Sequence, residues 1–472
     1  MDLIETVPRL TLEPEDVVGL IDELEEYHSI YSPLFHRREQ QERAKEYLNG
    51  LLSRMENKSI EAMVLEQEGP DLNAIRSTQH FISDGAWDDA EILRRHWQEV
   101  SKDLAEEDGV YTLDGSDFPK QGEDSVGVKR QHCGELGKTA NCQAGVFLGY
   151  VSQKGYTLLD RRLYLPQEWV KEDTHAERRE KCGVPEDVEF KTKPELGWEM
   201  MQALRRERTL PGQWLACDEA FGQNGGFLDD VAGIGLWYYA EVPHPTRVWL
   251  QRPASEVPPC SGRGPAPTKE RIVAGQPAAQ EVAAIAKSLA ADKWSRQLIK
   301  EGSKGPLLAD FAALRVVAVR DRMPGPDVWL ILRHNVADSE LKCYLSNAPE
   351  DTPLPQFARL SGMRWPIETC FEDGKQRLGM GDYQVRSWLG WHHHMTLCIL
   401  AHFFLVRLQL RLRDQAPALT LPQARLLLAS VLAKPEFDAQ RALDIINYRQ
   451  KRNHAAYVSH RKRRLAQLAQ SE

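Results

Sequence analysis

The chain has 472 residues, of which 42% are hydrophobic and 27% are charged, and its formal net charge is −9 at pH 7. This composition excludes a largely disordered chain, and the length predicts two to four folded units. The average charge does not indicate nucleic-acid binding, but the charge is unevenly distributed. Residues 1–27 hold nine acidic side chains and one basic one, whereas residues 449–464 hold seven Lys or Arg and no acid. A polyanion would respond to this local basic charge and not to the average.

The cysteine and hydrophobic patterns exclude several protein classes. The eight cysteines contain no C-x-x-C pair, which argues against a zinc ribbon and a disulfide framework and predicts reduced thiols in a cytosolic protein. The opening residues lack the apolar segment of a secretory signal. The longest apolar run, Met395 to Val406, is too short to span a bilayer and predicts a buried helix.

The first half of the chain alternates between helical and β-type patterns. Helices are predicted within residues 36–104, followed by strands at Val110–Leu113, Ala144–Val151 and Tyr156–Leu165. Thr192-Lys-Pro-Glu195 has the spelling of a capping box and predicts a helix that runs to about Arg208. Trp214–Cys217 predicts a short strand that ends at Asp218. This order of elements indicates an α/β core.

The second half begins with a β-rich stretch. Leu236–Val242 and Arg247–Leu250 resemble the two arms of a hairpin, and Pro253–Pro267 reads as a loop or linker. Three further strands are predicted from Leu314 to Arg320, from Val328 to Arg333 and from Leu341 to Leu345. A helical pattern returns from Trp388 to Arg413.

Three carboxylates stand where an active site is expected. Asp114 and Asp218 each follow a short apolar strand, and Glu368 lies on a predicted helix. Carboxylates at the carboxyl ends of central strands commonly face the crevice of an α/β fold, and together the three would suit one or two Mg²⁺ or Mn²⁺ ions. The alternative is that each Asp is an ordinary turn or N-cap residue. Periodicity does not decide between Glu368 and Glu372 as the ligand.

Two basic residues flank Glu368 at spacings that suit phosphate binding. Arg364 precedes a proline that is expected in the first helical turn, which would place the guanidinium near the positive end of the helix. Lys375 falls within about 20° of Glu368 around a helix axis. The alternative is a set of surface neighbours without a role. The basic tail at 449–464 fits DNA backbone contacts, a plain solvated helix end or dimer contacts.

Two other groups of metal-binding residue types carry weaker signals. Consecutive residues on a helix point in different directions, so His392, His393 and His394 are interpreted as packing and surface residues. His132, Cys133 and Cys142 lack a fourth ligand for zinc.

Taken together, these motifs resemble a DDE transposase of a bacterial insertion sequence. The similarity is to the cut-and-paste branch whose catalytic helix carries Tyr-x2-Arg-x3-Glu-x6-Lys. Arg364, Glu368 and Lys375 match that spacing, whereas Ser361 takes the place of the tyrosine. The segments 114–122, 125–131 with 141–143, and 217–222 resemble the blocks around the first and second aspartates, at Asp114 and Asp218. The resemblance covers roughly residues 36–465 and supports the triad interpretation.

The resemblance implies an α/β fold with a ribonuclease-H-like catalytic core that is interrupted by a β-rich insertion. The implied segments are an acidic N-terminal arm (1–35), a helical region that binds the DNA ends (36–105), the two parts of the core (106–222 and 351–412), the insertion (223–350) and a helical basic C-terminal region (413–472). The insertion would separate Asp218 from Glu368.

The resemblance also implies an activity and its partners. Asp114, Asp218 and Glu368 would be the catalytic and metal-binding residues for two Mg²⁺ or Mn²⁺ ions. Arg364, Lys375 and Lys120 would bind DNA. The protein would act as a homodimer on double-stranded DNA, at the terminal repeats and the target, and would be cytoplasmic and nucleoid-associated, without a membrane. The alternatives are a transposase-derived DNA-binding protein that lacks catalysis, for which Ser361 and the acidic arm are the motive, and a nuclease without transposition.

Overall fold

The computed structural model describes residues 9–258, 268–302, 305–432 and 436–469. The first residues of the predicted acidic arm and most of the predicted proline-rich loop therefore lie outside the described residues. The chain divides into two compact units. The terminal unit comprises Met1–Ile92, Lys181–Val184 and Glu372–Glu472, and the central unit comprises Leu93–Glu180 and Pro185–Phe371. The six-segment division stays a prediction.

The described α-helices are numbered in chain order. They are α1 Pro14–Val18, α2 Leu20–Tyr31, α3 Arg38–Leu52, α4 Ile60–Gln67, α5 Leu72–Ser83, α6 Asp89–Leu104, α7 Gln167–Lys171, α8 Ala176–Lys181, α9 Lys193–Glu207, α10 Glu219–Gly222, α11 Gly225–Gly233, α12 Val282–Ser288, α13 Leu354–Arg364, α14 Pro366–Arg377, α15 Trp388–Arg411, α16 Leu421–Val431 and α17 Ala439–Ala469.

The described strands lie in the central unit. They are β1 Val110–Pro119, β2 Lys129–Cys133, β3 Lys138–Val151, β4 Tyr156–Tyr164, β5 Trp214–Cys217, β6 Trp237–Val242, β7 Arg247–Trp249, β8 Ser255–Glu256, β9 Arg271–Ile272, β10 Gln280–Glu281, β11 Ser295–Gly302, β12 Gly305–Arg320, β13 Met323–Asn335 and β14 Leu341–Ser346.

Helices form the terminal unit. The stretch interpreted as an acidic arm contains α2, whose apolar side buries Leu20, Leu24, Tyr27 and Tyr31 at helical spacing. The Tyr27 hydroxyl donates a 2.9 Å hydrogen bond to the carbonyl of Leu400 on α15. Acidic side chains on the opposite side hid this amphipathic pattern in the sequence.

The predicted buried helix is confirmed as α15, which buries residues around most of its circumference. His392, His393 and His394 are all buried, so the packing prediction is confirmed and the surface prediction is wrong. His393 stacks on Trp87 at 3.5 Å between ring centroids. Because the helix is apolar on all sides, its polar residues are also enclosed.

One mixed sheet organises the central unit. Its strand order is β10-β7-β12-β13-β14-β6-β5-β1-β3-β2, with β11 beside β12 and β4 beside β3. The strands β1, β5 and β6 run parallel to one another, whereas β3 and β14 pair antiparallel at either side of them. Strands from the stretch predicted as an insertion thus continue the same sheet.

The predicted hairpin of Leu236–Val242 with Arg247–Leu250 is wrong. Strand β6 pairs with β5 and β14, whereas β7 pairs with β10 and β12. Both strands exist as predicted, but their partners come from distant parts of the chain. Local turn signals at the two prolines describe where the chain bends and not which strands pair.

Helices cover both faces of the three parallel strands. Strand residues alternate between faces. Leu113 packs against α9, since a Cβ on Gly197 would lie only 2.5 Å from its Cδ2. On the other face, Val110, Trp214 and Tyr239 share a buried cluster with Phe357 and Leu360 of α13. Residues Asp114, Asp218 and Glu241 have the parity of this second face, toward α13.

Candidate active site

Three carboxylates leave the parallel strands at the same level. Leu113 of β1 lies opposite Cys217 of β5, and Cys217 lies opposite Ala240 of β6. The next residues along the chain are Asp114, Asp218 and Glu241. In-register parallel strands bring their carboxyl ends to one edge, which places the three acidic residues side by side.

The position of Asp114 differs in one respect from its prediction. It was expected just beyond a strand, but β1 continues to Pro119. The parallel partner β5 ends at Cys217, whereas the antiparallel partner β3 keeps pairing with β1 as far as Cys142 opposite Pro119. Asp114 is therefore held by a continuous strand and not by a turn.

A helix break places Arg364 and Glu368. Arg364 ends α13, and α14 begins at Pro366. Proline has no N–H to continue a helix, and two helices therefore meet at Trp365. Arg364 lies at the C-terminal end of α13 and two residues before α14, which has Pro366 in its first turn as predicted. Glu368 lies in the first turn of α14.

Arg364 holds the carboxylates together. Its Nη2 lies 2.7 Å from Oε1 of Glu368, its Nη1 lies 3.5 Å from Oδ2 of Asp114, and its Nε lies 3.6 Å from Oε2 of Glu241. The side chains of Arg364, Asp114 and Glu241 are 14%, 13% and 8% exposed. The structure thus gathers two predicted site residues, Asp114 and Glu368, together with Glu241 around one guanidinium.

Burial and crowding of like charges shape the electrostatics. Burial raises the pKa of Asp114, and the charge of Asp218 raises it further, whereas Arg364 opposes both. Burial also raises the pKa of Asp218. Burial works against the charge of Arg364, yet Asp114, Glu368 and Glu241 together raise its pKa. The charge of Arg364 therefore only partly offsets the effect of burial on the pKa values of the two aspartates.

Asp218 also has the structural role that the sequence left open. Its Oδ1 accepts a 3.0 Å hydrogen bond from the N–H of Ala220 and caps α10. The cap and the site are compatible, because a carboxylate has a second oxygen.

Ser361, which replaces the signature tyrosine, is 7% exposed. Its hydroxyl accepts a 3.4 Å hydrogen bond from Nη1 of Arg333. The hydroxyl therefore lies inside the protein.

The other predicted basic residues lie farther along their elements. Lys120 follows the end of β1, and its main chain is tied to Asn141 by bonds of 2.9 and 3.2 Å. Lys375 lies in the last turn of α14. The contacts of Arg364 connect it to carboxylates. A role of Arg364, Lys120 and Lys375 in DNA binding stays a prediction.

Glu241 was missed by the sequence reasoning. It is the charged residue of an otherwise apolar strand, Trp-Tyr-Tyr-Ala-Glu-Val. A single acidic residue within an otherwise apolar predicted strand was the signal that could have identified Glu241. Its Oε1 accepts a 2.8 Å bond from Nζ of Lys342 on β14.

Among the described residues, no group of three or more His, Cys, Asp or Glu side chains stands ready to hold a metal ion. The donor chemistry nevertheless suits a hard divalent cation, because carboxylate oxygens are its preferred ligands. Asp114, Glu241 and Glu368 contact Arg364, and Asp218 lies level with Asp114, so the carboxylates of this cluster outnumber the guanidinium.

A comparison with protein families matches residues 31–306 to a model described as DDE superfamily endonuclease. The matched range includes Asp114, Asp218 and Glu241 and ends before Arg364 and Glu368. No curated protein matches the chain. Within the described residues, no helix has the length and apolar character needed to cross a membrane.

Proposed function

Because the chain belongs to the DDE superfamily of endonucleases, we propose that it is a DNA transposase. It cuts the ends of an insertion sequence by metal-dependent phosphodiester hydrolysis and joins the freed 3′-hydroxyl to target DNA. The observation that carries this proposal is the convergence of Asp114 and Asp218 at one level of the sheet, with Glu368 tied to Asp114 through Arg364.

Divalent metals are generally used by this superfamily. Asp114, Asp218 and Glu368 would hold one or two Mg²⁺ or Mn²⁺ ions, which supply an activated water and stabilise the leaving oxygen. The chain's own contribution is to orient the oxygens. Strand β1 fixes Asp114, and the cap on α10 fixes one oxygen of Asp218. Glu368, with a side chain 34% exposed, is the most accessible of the three.

We assign the phosphate contacts to the three predicted basic residues. Arg364 presents a planar guanidinium that suits phosphate oxygens, and Lys375 and Lys120 supply point charges. Replacing Lys375 or Lys120 by Ala should weaken binding to all DNA sequences and reduce the slope of log affinity against log salt by about 1. An unchanged slope for both variants contradicts the assignment. Sedimentation of the protein with end DNA tests the homodimer.

The decisive experiment uses DNA that carries the inverted repeats flanking the gene. The wild type with Mg²⁺ should nick this DNA and yield products joined to a target plasmid, and EDTA should abolish both. Nicking that survives in Asp114→Ala contradicts the proposal. Nicking without joined products leaves a nuclease that does not transpose.

The alternative is a transposase-derived DNA-binding protein without catalysis. Its support is the position of Arg364, whose guanidinium contacts Asp114 and Glu368, the residues that would hold an ion. The buried Ser361 no longer supports it, because that hydroxyl packs against Arg333 inside the protein. Under this alternative, gel-shift assays should show end-DNA binding unaffected by EDTA, and cleavage assays should show no product with any divalent metal.

A further inference from the structure

Glu241 is a fourth carboxylate with a different environment from the other three. It lies level with Asp114 and Asp218, but its strand is flanked by β5 and β14 on either side. Its carbonyl oxygen is covered by α10, since a Cβ on Gly222 would lie 1.9 Å from it. Lys342 engages Oε1 at 2.8 Å, and Oε2 faces Arg364 at 3.6 Å. Glu241 is therefore fixed in place on three sides.

Arg364 contacts two kinds of carboxylate, namely candidate metal ligands and Glu241. Asp114 and Glu368 are candidate ligands of a divalent cation, so an ion bound by both would compete with the guanidinium for the same oxygens. Glu368 is the more exposed of the two, at 34% against 13% for Asp114. Glu241, whose side chain is 8% exposed, is the partner that an arriving ion need not disturb.

We propose that Arg364 is an internal competitor for the divalent cation and that Glu241 is a positioning residue that retains the guanidinium when the ion takes Asp114 and Glu368. This inference rests on the proposed function, because it assumes that the candidate triad binds an ion. Arg364 acts as the counter-ion of the carboxylates until metal arrives. It then stays beside the site through Glu241 instead of leaving it.

The test measures Mn²⁺ binding to the full chain without DNA, by calorimetry and by the shift of the unfolding temperature. Glu241→Gln should raise the Mn²⁺ midpoint about 3- to 10-fold, because Arg364 loses its second partner and competes more strongly. Arg364→Gln should lower the midpoint. In the Arg364→Gln background, the further change Glu241→Gln should alter the midpoint less than about twofold.

Two variants separate positioning from a simple change in charge. Glu241→Asp keeps the charge but withdraws the carboxylate by one methylene, so it should also raise the midpoint, and it serves if Glu241→Gln does not fold. Glu340→Gln is the matched control, since Glu340 lies 3.9 Å from the same Lys342 and is 53% exposed. It should leave the midpoint unchanged.

The outcomes are distinguishable. An equal effect of Glu241→Gln in both backgrounds overturns the inference. Glu241 would then act without Arg364, either as a metal ligand or through its electrostatic field. The inference is also overturned if neither the wild type nor Arg364→Gln binds Mn²⁺. If the wild type cleaves end DNA but the effect of Glu241→Gln does not depend on Arg364, only the inference is wrong. If that dependence is found but the wild type does not cleave end DNA, only the proposed function is wrong.

Discussion

The two units of the molecule each bury charge, and they compensate it in different ways. In the central unit, Arg364 is the partner of three carboxylates, those of Asp114, Glu241 and Glu368. In the terminal unit, Lys58 is 1% exposed and donates hydrogen bonds to the carbonyl oxygens of Leu51 and Ser53, the second at 2.7 Å. Leu51 belongs to the last turn of α3, so Lys58 caps a helix end.

This contrast distinguishes a buried charged group with a structural role, such as Lys58, from buried groups that are candidates for an active site. Dipoles of the backbone satisfy the hydrogen bonds of Lys58, and burial lowers its pKa to about 6, a shift that Arg425 reinforces. Its environment therefore favours the neutral amine and requires no further ion. In the carboxylate cluster, burial and neighbouring acids raise the pKa of Asp114, and burial raises that of Asp218, so their ionised forms are disfavoured in a way that a bound cation would relieve. Perturbed groups of the second kind are the better candidates for an active site.

The largest effect is expected at the carboxylate cluster. Asp218→Asn keeps the N-cap but removes the charge, so cleavage of end DNA should fall on the order of a thousandfold or more. Asp327→Asn, at an exposed pair with Arg252, is the control and should leave cleavage unchanged. Product formation on gels checks both, and circular dichroism checks the fold. Intact cleavage by Asp218→Asn would show that the charge of this carboxylate is not needed for catalysis.

The pH dependence of stability tests the structural role of the buried Lys58. Between a folded pKa of about 6 and an unfolded value near 10.4, the unfolded state binds a proton at Lys58 that the folded state does not. Stability should therefore rise with pH, by about 1.4 kcal/mol per pH unit relative to Lys58→Met. Urea unfolding at pH 7, 8 and 9 measures this difference. Lys45→Met, at a partly exposed position beside Glu25, should track the wild type.

A backbone contact supports the site, and crowding it should cost less than removing a ligand. Gly222→Ala places a Cβ 1.9 Å from the carbonyl oxygen of Glu241, so we expect a loss of about 1–3 kcal/mol in the free energy of unfolding and weaker cleavage. Gly226→Ala is the matched control, because its Cβ would lie 3.5 Å from its nearest neighbour, the Asn224 side chain. Equal stability of the two variants would show that β6 and α10 are not tightly coupled.

The smallest effect is expected at Ser361. Its hydrogen bond from Arg333 is long, at 3.4 Å, and Ser361→Ala should change the free energy of unfolding by less than about 1 kcal/mol. End-DNA binding should be unchanged, because the hydroxyl is enclosed. A large loss of DNA affinity in a gel-shift assay would restore the interpretation of this position as a DNA contact.

Local patterns predicted much of the fold. The strand Trp214–Cys217 is found at the predicted bounds, and the capping box at Thr192 starts α9 as its spelling indicates. Both depend on neighbouring residues, namely an apolar run and a side chain that bonds the backbone N–H three residues on. The same logic failed for the hairpin of β6 with β7, because pairing partners are chosen by the whole sheet.

The sequence alone predicted the candidate aspartates and the type of most elements, which follow from residue chemistry and short-range spacing. Its resemblance to a transposase family supplied the signature residues Arg364, Glu368 and Lys375. Only the tertiary structure decided that Glu241 stands level with Asp114 and Asp218 and that Arg364 binds carboxylates. The physical reason is that strand register and the balance of buried charge arise from residues far apart in the chain, whose proximity no local pattern encodes.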